Sequence, residues 1–214
     1  MKFLKIFGQD KLKLPYSLRK NQQKMIDTID EGLSSRNHVA IEAPTGSGKT
    51  FTSLASVLPY INKNNYKIIY CVRTNSQQKQ VIRELKAFQK SGSKISAVAI
   101  QGRESMCPQQ EDNSELKKSN WSEKSKICKS LKLQTKMNEA GCPYYRKLLH
   151  SSKNLYSSWS SQILTAEEFT LRAKSEGICP YELNKVLIKK AQIVIVPYVY
   201  FFESVIRKYL IGKM

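Results

Sequence analysis

An α/β fold built on a parallel sheet is what the sequence predicts, on three observations. Short apolar runs alternate with helical patterns through the first hundred or so residues, a glycine-rich turn separates the first such run from the next helix, and the same rhythm returns after Asn184. Parallel strands need a crossover between them, and a helix is the usual one, so this alternation points to βαβ units. The 214 residues, 41% hydrophobic and 9% aromatic, are enough for one or two domains with a sizeable core and argue against wholesale disorder.

Each element has its own signal. Leu18 to Leu33 places Leu18, Met25, Ile26, Ile29 and Leu33 at one-face spacing, and Gly32 with Ser34-Ser35 marks the end of that helix. His38 to Glu42 reads as a short strand, Ala43 to Gly48 as a turn and Lys49 to Tyr60 as a helix. Tyr66–Val72 and Ile95–Ile100 read as further strands, with helix Ser76–Gln89 between them. Near Gly102 the rhythm stops. From Arg103 to about Tyr181 four cysteines fall among Lys, Ser and Asn with no convincing strand. Helical patches are expected at Ser125–Met137, Tyr144–Leu149 and Thr165–Lys174, and a polar loop at Glu111–Trp121. Helix Lys185–Lys190, buried strand Ile193–Val196 and helix Phe201–Leu210 close the pattern. The expected organisation is one α/β domain, residues 1–102 and 183–214, interrupted by an insertion, residues 103–182, that is polar and has little core of its own.

Charge narrows the partners. Thirty-six Lys and Arg against seventeen Asp and Glu give +19, a field that favours polyanions: nucleic acid first, an anionic membrane surface second. A lysine-rich solvated surface would show the same excess, so charge alone does not settle function. No apolar run approaches the ~18–20 residues of a bilayer span. Lys2 and Lys5 lie among apolar residues without a cleavage-site pattern, so no signal peptide is expected.

Ala43-Pro44-Thr45-Gly46-Ser47-Gly48-Lys49-Thr50 matches a phosphate-binding loop with Ala in the first glycine's place, between an expected strand and helix. Glycines let backbone N–H groups converge on phosphate oxygens, and the following helix N-terminus adds a favourable dipole. Lys49 is the candidate for the β- and γ-phosphates of ATP, and Thr50 for Mg²⁺. Upstream, the amide of Gln22 offers a donor and an acceptor that suit an adenine edge, although a solvated helix face fits the same spacing.

Cys107, Cys128, Cys142 and Cys179 lack the close pairs of structural zinc sites. Four isolated thiolates still suffice for an iron–sulfur cluster, and three of the four precede proline, which sets the local turn. Cluster, zinc and free core thiols all remain open on spacing. Cys71, in an apolar strand, reads as a packed core residue, and His38 and His150 have no partner at ligand spacing.

Together these segments resemble the XPD-type iron–sulfur DNA helicases of superfamily 2, over nearly the whole chain. Ala43–Thr50 is similar to that family's motif I, and Arg73-Thr74-Asn75-Ser76-Gln77 to motif Ia. Gly102-Arg103 before Cys107 resembles the start of the cluster insertion, and Cys142-Pro143-Tyr144-Tyr145 and Cys179-Pro180-Tyr181-Glu182 its later cysteine motifs. Pro197-Tyr198-Val199-Tyr200 resembles an Asn-Tyr-His-Tyr stretch, departing at the first and third places. The resemblance implies a partial RecA-like motor domain, ATP and Mg²⁺ at Lys49 and Thr50, and a [4Fe–4S] cluster on the four cysteines. It further implies single-stranded and forked DNA as partner, with contacts at Arg73, Thr74, Asn75, Gln77, Arg103, Tyr144 and Arg146, and Tyr145 and Lys147 beside them.

The family's Asp-Glu-Ala-His box and its remaining helicase domains do not occur in these 214 residues. The chain is therefore expected to be the amino-terminal part of such a helicase, binding ATP without turning it over. A monomer is expected, without membrane association, in the cytoplasm or, in a eukaryote, the nucleus. The competing readings are a non-catalytic nucleotide- and nucleic-acid-binding module and a zinc-stabilised ATP-binding protein.

Overall fold

The computed structural model describes residues 3–4, 12–64, 66–151, 153–212 and 214; Lys2 and Lys5 fall outside them. Two short antiparallel strands, β1 (Phe3–Leu4) and β2 (Leu12–Lys13), precede α1 (Gln22–Ser34) and α2 (Lys49–Asn64). A βαβ unit follows: β3 (Ile68–Val72), α3 (Asn75–Lys90) and β4 (Ala97–Ala99). Among the described residues eight helices then intervene: α4 (Arg103–Met106), α5 (Gln109–Asp112), α6 (Ser114–Lys118), α7 (Trp121–Lys136), α8 (Pro143–Leu149), α9 (Lys153–Ser160), α10 (Ala166–Ser175) and α11 (Pro180–Leu187). Strand β5 (Ile193–Pro197) and helices α12 (Val199–Phe202) and α13 (Ser204–Ile211) complete the order.

The α/β class is confirmed. The sheet runs β3-β5-β4, all parallel, with Ile193 opposite both Ile68 and Ala97. The last strand in sequence thus occupies the centre. Ile193, Val194, Ile195 and Val196 are all fully buried, as an unbroken β-branched run in a central parallel strand should be. Strand periodicity sends its side chains to two cores. Ile193 and Ile195 join Ala97, Ala99 and the α2–α3 residues Leu54, Leu58, Val81, Leu85 and Phe88 on one face. Val194 and Val196 join Val98, Ile100, Trp159, Phe169, Leu183 and Leu187 on the other.

That second core corrects one expectation. Residues 103–182 are not short of buried apolar side chains: Met106, Leu148, Trp159, Phe169, Ala173 and Ile178 pack in one cluster with the sheet. Trp159 anchors it, edge-on to Phe169 at 4.7 Å, with the Arg172 guanidinium 4.0 Å from its ring centre and its indole N–H donating to Glu176 Oε2. The segment is hard to read in sequence because its apolar residues are single positions on short helices, too sparse for a periodic signal. By contrast, among the described side chains of residues 103–142 only Met106, Pro108 and Leu116 are buried apolar groups, and that stretch is the more thinly packed part.

Other expectations change too. His38–Glu42 is not a strand: residues 37–44 run as irregular, largely exposed backbone. Among the described residues no strand lies beside them to complete a ladder, and strand geometry needs a partner. The polar loop expected at Glu111–Trp121 is instead two short helices: Asn113 caps α6 by accepting from Leu116 N–H, and Leu116 is buried. Helix α11 begins at Pro180 rather than Lys185, because proline pre-sets the first helical turn. The terminal helix is broken at Glu203, whose backbone is extended. No helix among the described residues is long and apolar enough to cross a membrane.

Helix α10 is tied to α3 by Lys79–Glu167 at 2.9 Å and Lys86–Glu168 at 2.7 Å. Lys86, and then the Thr165 N–H of the α10 capping box, hold the Glu168 carboxyl below the usual carboxylate range. Its ionised form therefore stabilises the fold above the ordinary carboxylate pKa, and that contribution is lost as pH falls through the depressed value. Thermal midpoints of the wild type and Glu168→Gln are expected to differ near neutral pH and to converge only as pH falls through that depressed value. Trp159→Ala is expected to cost about 3–5 kcal/mol. Since Val194 and Val196 share its cluster, urea denaturation followed by circular dichroism and by Cys71 reactivity should show one transition at lower urea. An early, separate transition that leaves Cys71 protected would contradict a shared core.

Candidate functional site

The glycine-rich loop has the backbone its sequence requires. Gly46 and Gly48 adopt φ of +82° and +85°, left-handed values at which a side chain would be strained. Helix α2 starts directly at Lys49, with Thr50 second and the Thr52 hydroxyl donating to Gly48 O at 2.9 Å. Lys49 Nζ folds back over the loop and donates to Ala43 O at 2.7 Å and Pro44 O at 2.9 Å. Pro44 O also accepts from Ser47 N–H at 3.3 Å. The buried Ser47 Oγ has no hydrogen-bond partner among the described residues. The Lys49 ammonium and the Ser47 N–H are thus satisfied by the loop's own carbonyls, the groups a phosphate oxygen would replace.

Gln22 lies against the loop and is buried. Its Oε1 accepts from Arg19 N–H at 2.8 Å and its Nε2 donates to Ser47 O at 2.9 Å. A cleft of about 610 Å³ opens beside it, between the start of α1 (Lys24, Met25, Thr28) and Ile41, Glu42 and Ala43.

Strand β3 delivers the next group of candidates. Arg73 and Thr74 leave its end, and α3 begins at Asn75. Thr74 and Gln77 form a reciprocal cap: the Thr74 hydroxyl accepts from Gln77 N–H, and Gln77 Oε1 accepts from the N–H groups of Arg73 and Thr74. Arg73, Thr74, Asn75 and Gln77 are all exposed. The cap holds this turn rigid and leaves the Arg73 side chain on the surface.

The four cysteines come together although the sequence separates them. Cys142 and Cys179 are the cap residues of α8 and α11, each with proline in the first helical position, whereas Cys107 lies one residue further out, with Pro108 itself the cap of α5. In each case the thiol faces the opening turn's N–H groups: Gln109 and Gln110 for Cys107, Tyr145 and Tyr144 for Cys142, Glu182 for Cys179. Cys128 enters from the middle of α7, close enough to raise the thiols of both Cys107 and Cys142. Burial is the main influence on Cys107, Cys142 and Cys179, and it pushes Cys179 up to about 12. A site that removed these protons would have to supply positive charge in return. Among the described residues no three His, Cys, Asp or Glu side chains form a site for one metal ion. Cys71, half-buried in β3 and packed on the second core, stands apart from this set.

Around the thiols sits a polar brace absent from the expected site. Glu182 accepts from Lys132 at 2.8 Å and Lys185 at 3.0 Å, and these lysines hold its carboxyl down against the opposing effect of burial. The brace ties α7 to α11, the two helices that carry Cys128 and Cys179. Half of its signal lies in the sequence, since Glu182 and Lys185 are three apart on a helix, but Lys132 lies fifty positions away. Arg103 is part of the same packing: Nη1 donates to Ser125 Oγ at 2.9 Å and the guanidinium lies 4.9 Å from the Tyr181 ring centre. Tyr144 O accepts from Cys179 N–H, and Arg146 donates to Glu139 O. The Tyr145 ring carries Lys132 Nζ at 5.6 Å. Of the insertion candidates, Arg146 and Lys147 are exposed.

The DEAD_2 family model matches residues 70–213. A regulator of telomere elongation helicase 1 homolog from Arabidopsis thaliana is 25% identical over 93% of this chain and 21% of its own length. Regulator of telomere elongation helicase 1 from Homo sapiens is 24% identical over 91% of the chain and 18% of its own length. The chain thus spans about a fifth of the length of these relatives. A solved XPD helicase superposes on 90% of the chain with a TM-score of 0.58 at 23% identity, covering 30% of that structure. A truncated XPD gives 0.53 at 24% identity, over 89% of the chain and 48% of that structure.

Proposed function

Because this chain belongs to the DEAD_2 family, the amino-terminal part of XPD-type superfamily 2 helicases, we propose that it is the nucleotide-engaging portion of an ATP-dependent 5′–3′ DNA helicase. In this reading it binds ATP·Mg²⁺ at residues 43–50, single-stranded or forked DNA across the Arg73–Gln77 turn, and a [4Fe–4S] cluster at Cys107, Cys128, Cys142 and Cys179. The observation that carries the reading is the loop: two left-handed glycines, a helix starting at the next residue, and Lys49 poised over the turn. Lys49 would exchange two carbonyls for phosphate oxygens, and Thr50, one residue into α2, would face Mg²⁺. Exposed Arg73 beside a rigid cap suits a phosphate contact, which positions a strand without reading its bases. The net charge of +19 favours the same partner.

The donor set fits the cluster. Four thiols, three of them facing N–H groups of helix-opening turns, support the reading of a polynuclear group, which needs anionic sulfur in a shielded place. A lone zinc would draw its thiolates to about 3.8 Å from one another, given Zn–S near 2.3 Å and tetrahedral geometry. When bound, the cluster supplies cross-linking of residues 107–142 to α8 and α11. The chain's own part is to hold the sulfurs through the three Cys-Pro turns and the Glu182 brace. In a full-length eukaryotic protein this function places it in the nucleus.

Tested as these 214 residues, the protein is expected to bind ATP·Mg²⁺ without hydrolysing it, since no Asp-Glu-Ala-His sequence is present to hold Mg²⁺ and position water. Lys49→Ala should abolish binding in a fluorescent-nucleotide titration; binding that survives it would overturn the loop assignment. Anaerobically purified protein should contain iron, and serine at any of Cys107, Cys128, Cys142 or Cys179 should release it, while Cys71→Ser should not. Limited proteolysis of the iron-free variants should cut within residues 107–142, where apolar packing is thin, and spare residues 159–191, which the sheet holds. Stoichiometric zinc in place of iron would defeat the cluster.

A further inference from the structure

We propose that helix α7 is the template on which the four cysteines are registered, and that Thr135 and Gly141 are the positioning residues for Cys142. The proposal deepens the cysteine-site reading and rests on it. Ser125, Cys128, Lys132 and Thr135 follow one another at spacings of three, four and three, so they share one face of α7. Each serves a different cysteine. Ser125 Oγ accepts from Arg103 Nη1 at 2.9 Å, and Arg103 opens α4, the helix capped at its end by Cys107. Cys128 brings its own thiol. Lys132 donates to Glu182 Oε1 at 2.8 Å in the first turn of α11, whose opening cap is Cys179. Thr135 Oγ1 accepts from the Cys142 N–H at 2.8 Å.

That last contact is built for one geometry. A threonine hydroxyl has a single proton to donate, and Thr135 directs it to Leu131 O at 2.7 Å, one turn back in its own helix. Its lone pairs are left for Cys142, and with the residue 4% exposed, water does not compete for them. Leu131 O is a second, longer acceptor for the same Cys142 N–H, at 3.3 Å. The chain comes this close only because residue 141 is glycine: a Cβ there would collide with Leu131 O, Thr135 Oγ1 and Thr135 N. Gly141 therefore lets the Cys142 backbone lie against α7, and the Thr135 hydroxyl fixes where along the helix it lies. Held there, Cys142 Sγ is 4.0 Å from Gln109 Oε1, two residues past Cys107. Thr135 thus acts through Cys142, as the outer groups that orient the ligands of a metal centre do.

Anaerobically purified 214-residue protein tests the assignment. Thr135→Val keeps the side chain's shape and loses the hydroxyl; it should yield iron to a competing chelator about tenfold more readily than the wild type. It should also change the visible circular dichroism of the bound cluster, and Thr135→Ser, which keeps the hydroxyl, should restore both readouts. Ser130→Ala, on the exposed side of the same helix, should change neither. Thr135→Val indistinguishable from the wild type, or a defect that Thr135→Ser does not relieve, would overturn the proposal. A second measurement needs no iron. In the apoprotein, alkylation followed by mass spectrometry should quicken at Cys142 in Thr135→Val and Gly141→Ala, and at Cys179 in Lys132→Met, with the other thiols unchanged. An equal rise at all of them in each variant would mark general loosening and overturn the template. If the wild type holds no iron, the cluster reading fails, and alkylation alone then decides for or against the template.

Discussion

Everything in this molecule hangs on the burial of one strand. Strand β5 is hydrogen-bonded on both sides and covered on both faces, and Ile193 through Val196 are fully excluded from water. Parallel strands with apolar residues on both faces demand a helical layer on each. Helices α2 and α3 form one layer and carry the phosphate loop and the Arg73–Gln77 turn at their starts. Helices α9, α10 and α11 form the other and lead to the cysteines. The same four residues therefore hold the two candidate sites on one rigid support.

The topology explains how a long crossover becomes structure. Between β4 and β5 the chain makes an excursion of more than ninety residues and must return to the centre of the sheet. Its later part is held there through Trp159, Phe169, Leu183 and Leu187, which bury the second face. Its earlier part reaches that core through Met106, and the rest of its cohesion comes from the Asn113 and Asn120 caps and the Arg103–Ser125 contact. Cys107 and Cys128 belong to this thinly packed stretch, and Cys142 and Cys179 to the starts of the helices beyond it.

Charge is distributed with similar economy. Among the described residues the carboxylates in ion pairs, at Glu104, Glu111, Glu167, Glu168, Glu176 and Glu182, all belong to the crossover. There they fasten helix to helix, most firmly at Glu182 where the pair is shielded. Exposed pairs of this kind add little stability singly, but they leave the basic excess of residues 12–102 largely uncompensated. A field of that sign favours a polyanion over a cation at the surface.

Local chemistry determined a good part of this protein. Glycines at 46 and 48 permit the left-handed backbone that the loop needs, proline after Cys142 and Cys179 opens a helix, Thr74 and Gln77 cap one, and the run Ile193–Val196 demands double burial. Those features depend on a few neighbouring residues, although the helix opened by Pro180 is expected only from Lys185 and the Thr74–Gln77 cap emerges only in the structure. Tertiary structure decided the rest. His38–Glu42 has strand-like residues but no adjacent strand among those described, so it forms none. Gln22 also bonds Ser47 O in a loop 25 positions away, a contact that no local pattern foretells. The stretch from Trp159 to Leu187 reads as polar because its apolar residues are scattered, and only the face of the sheet gathers them into a core. The physical reason is common to all three: a ladder, a hydrogen bond or a buried side chain is defined by a partner, and residues distant in sequence become partners only once the chain has folded.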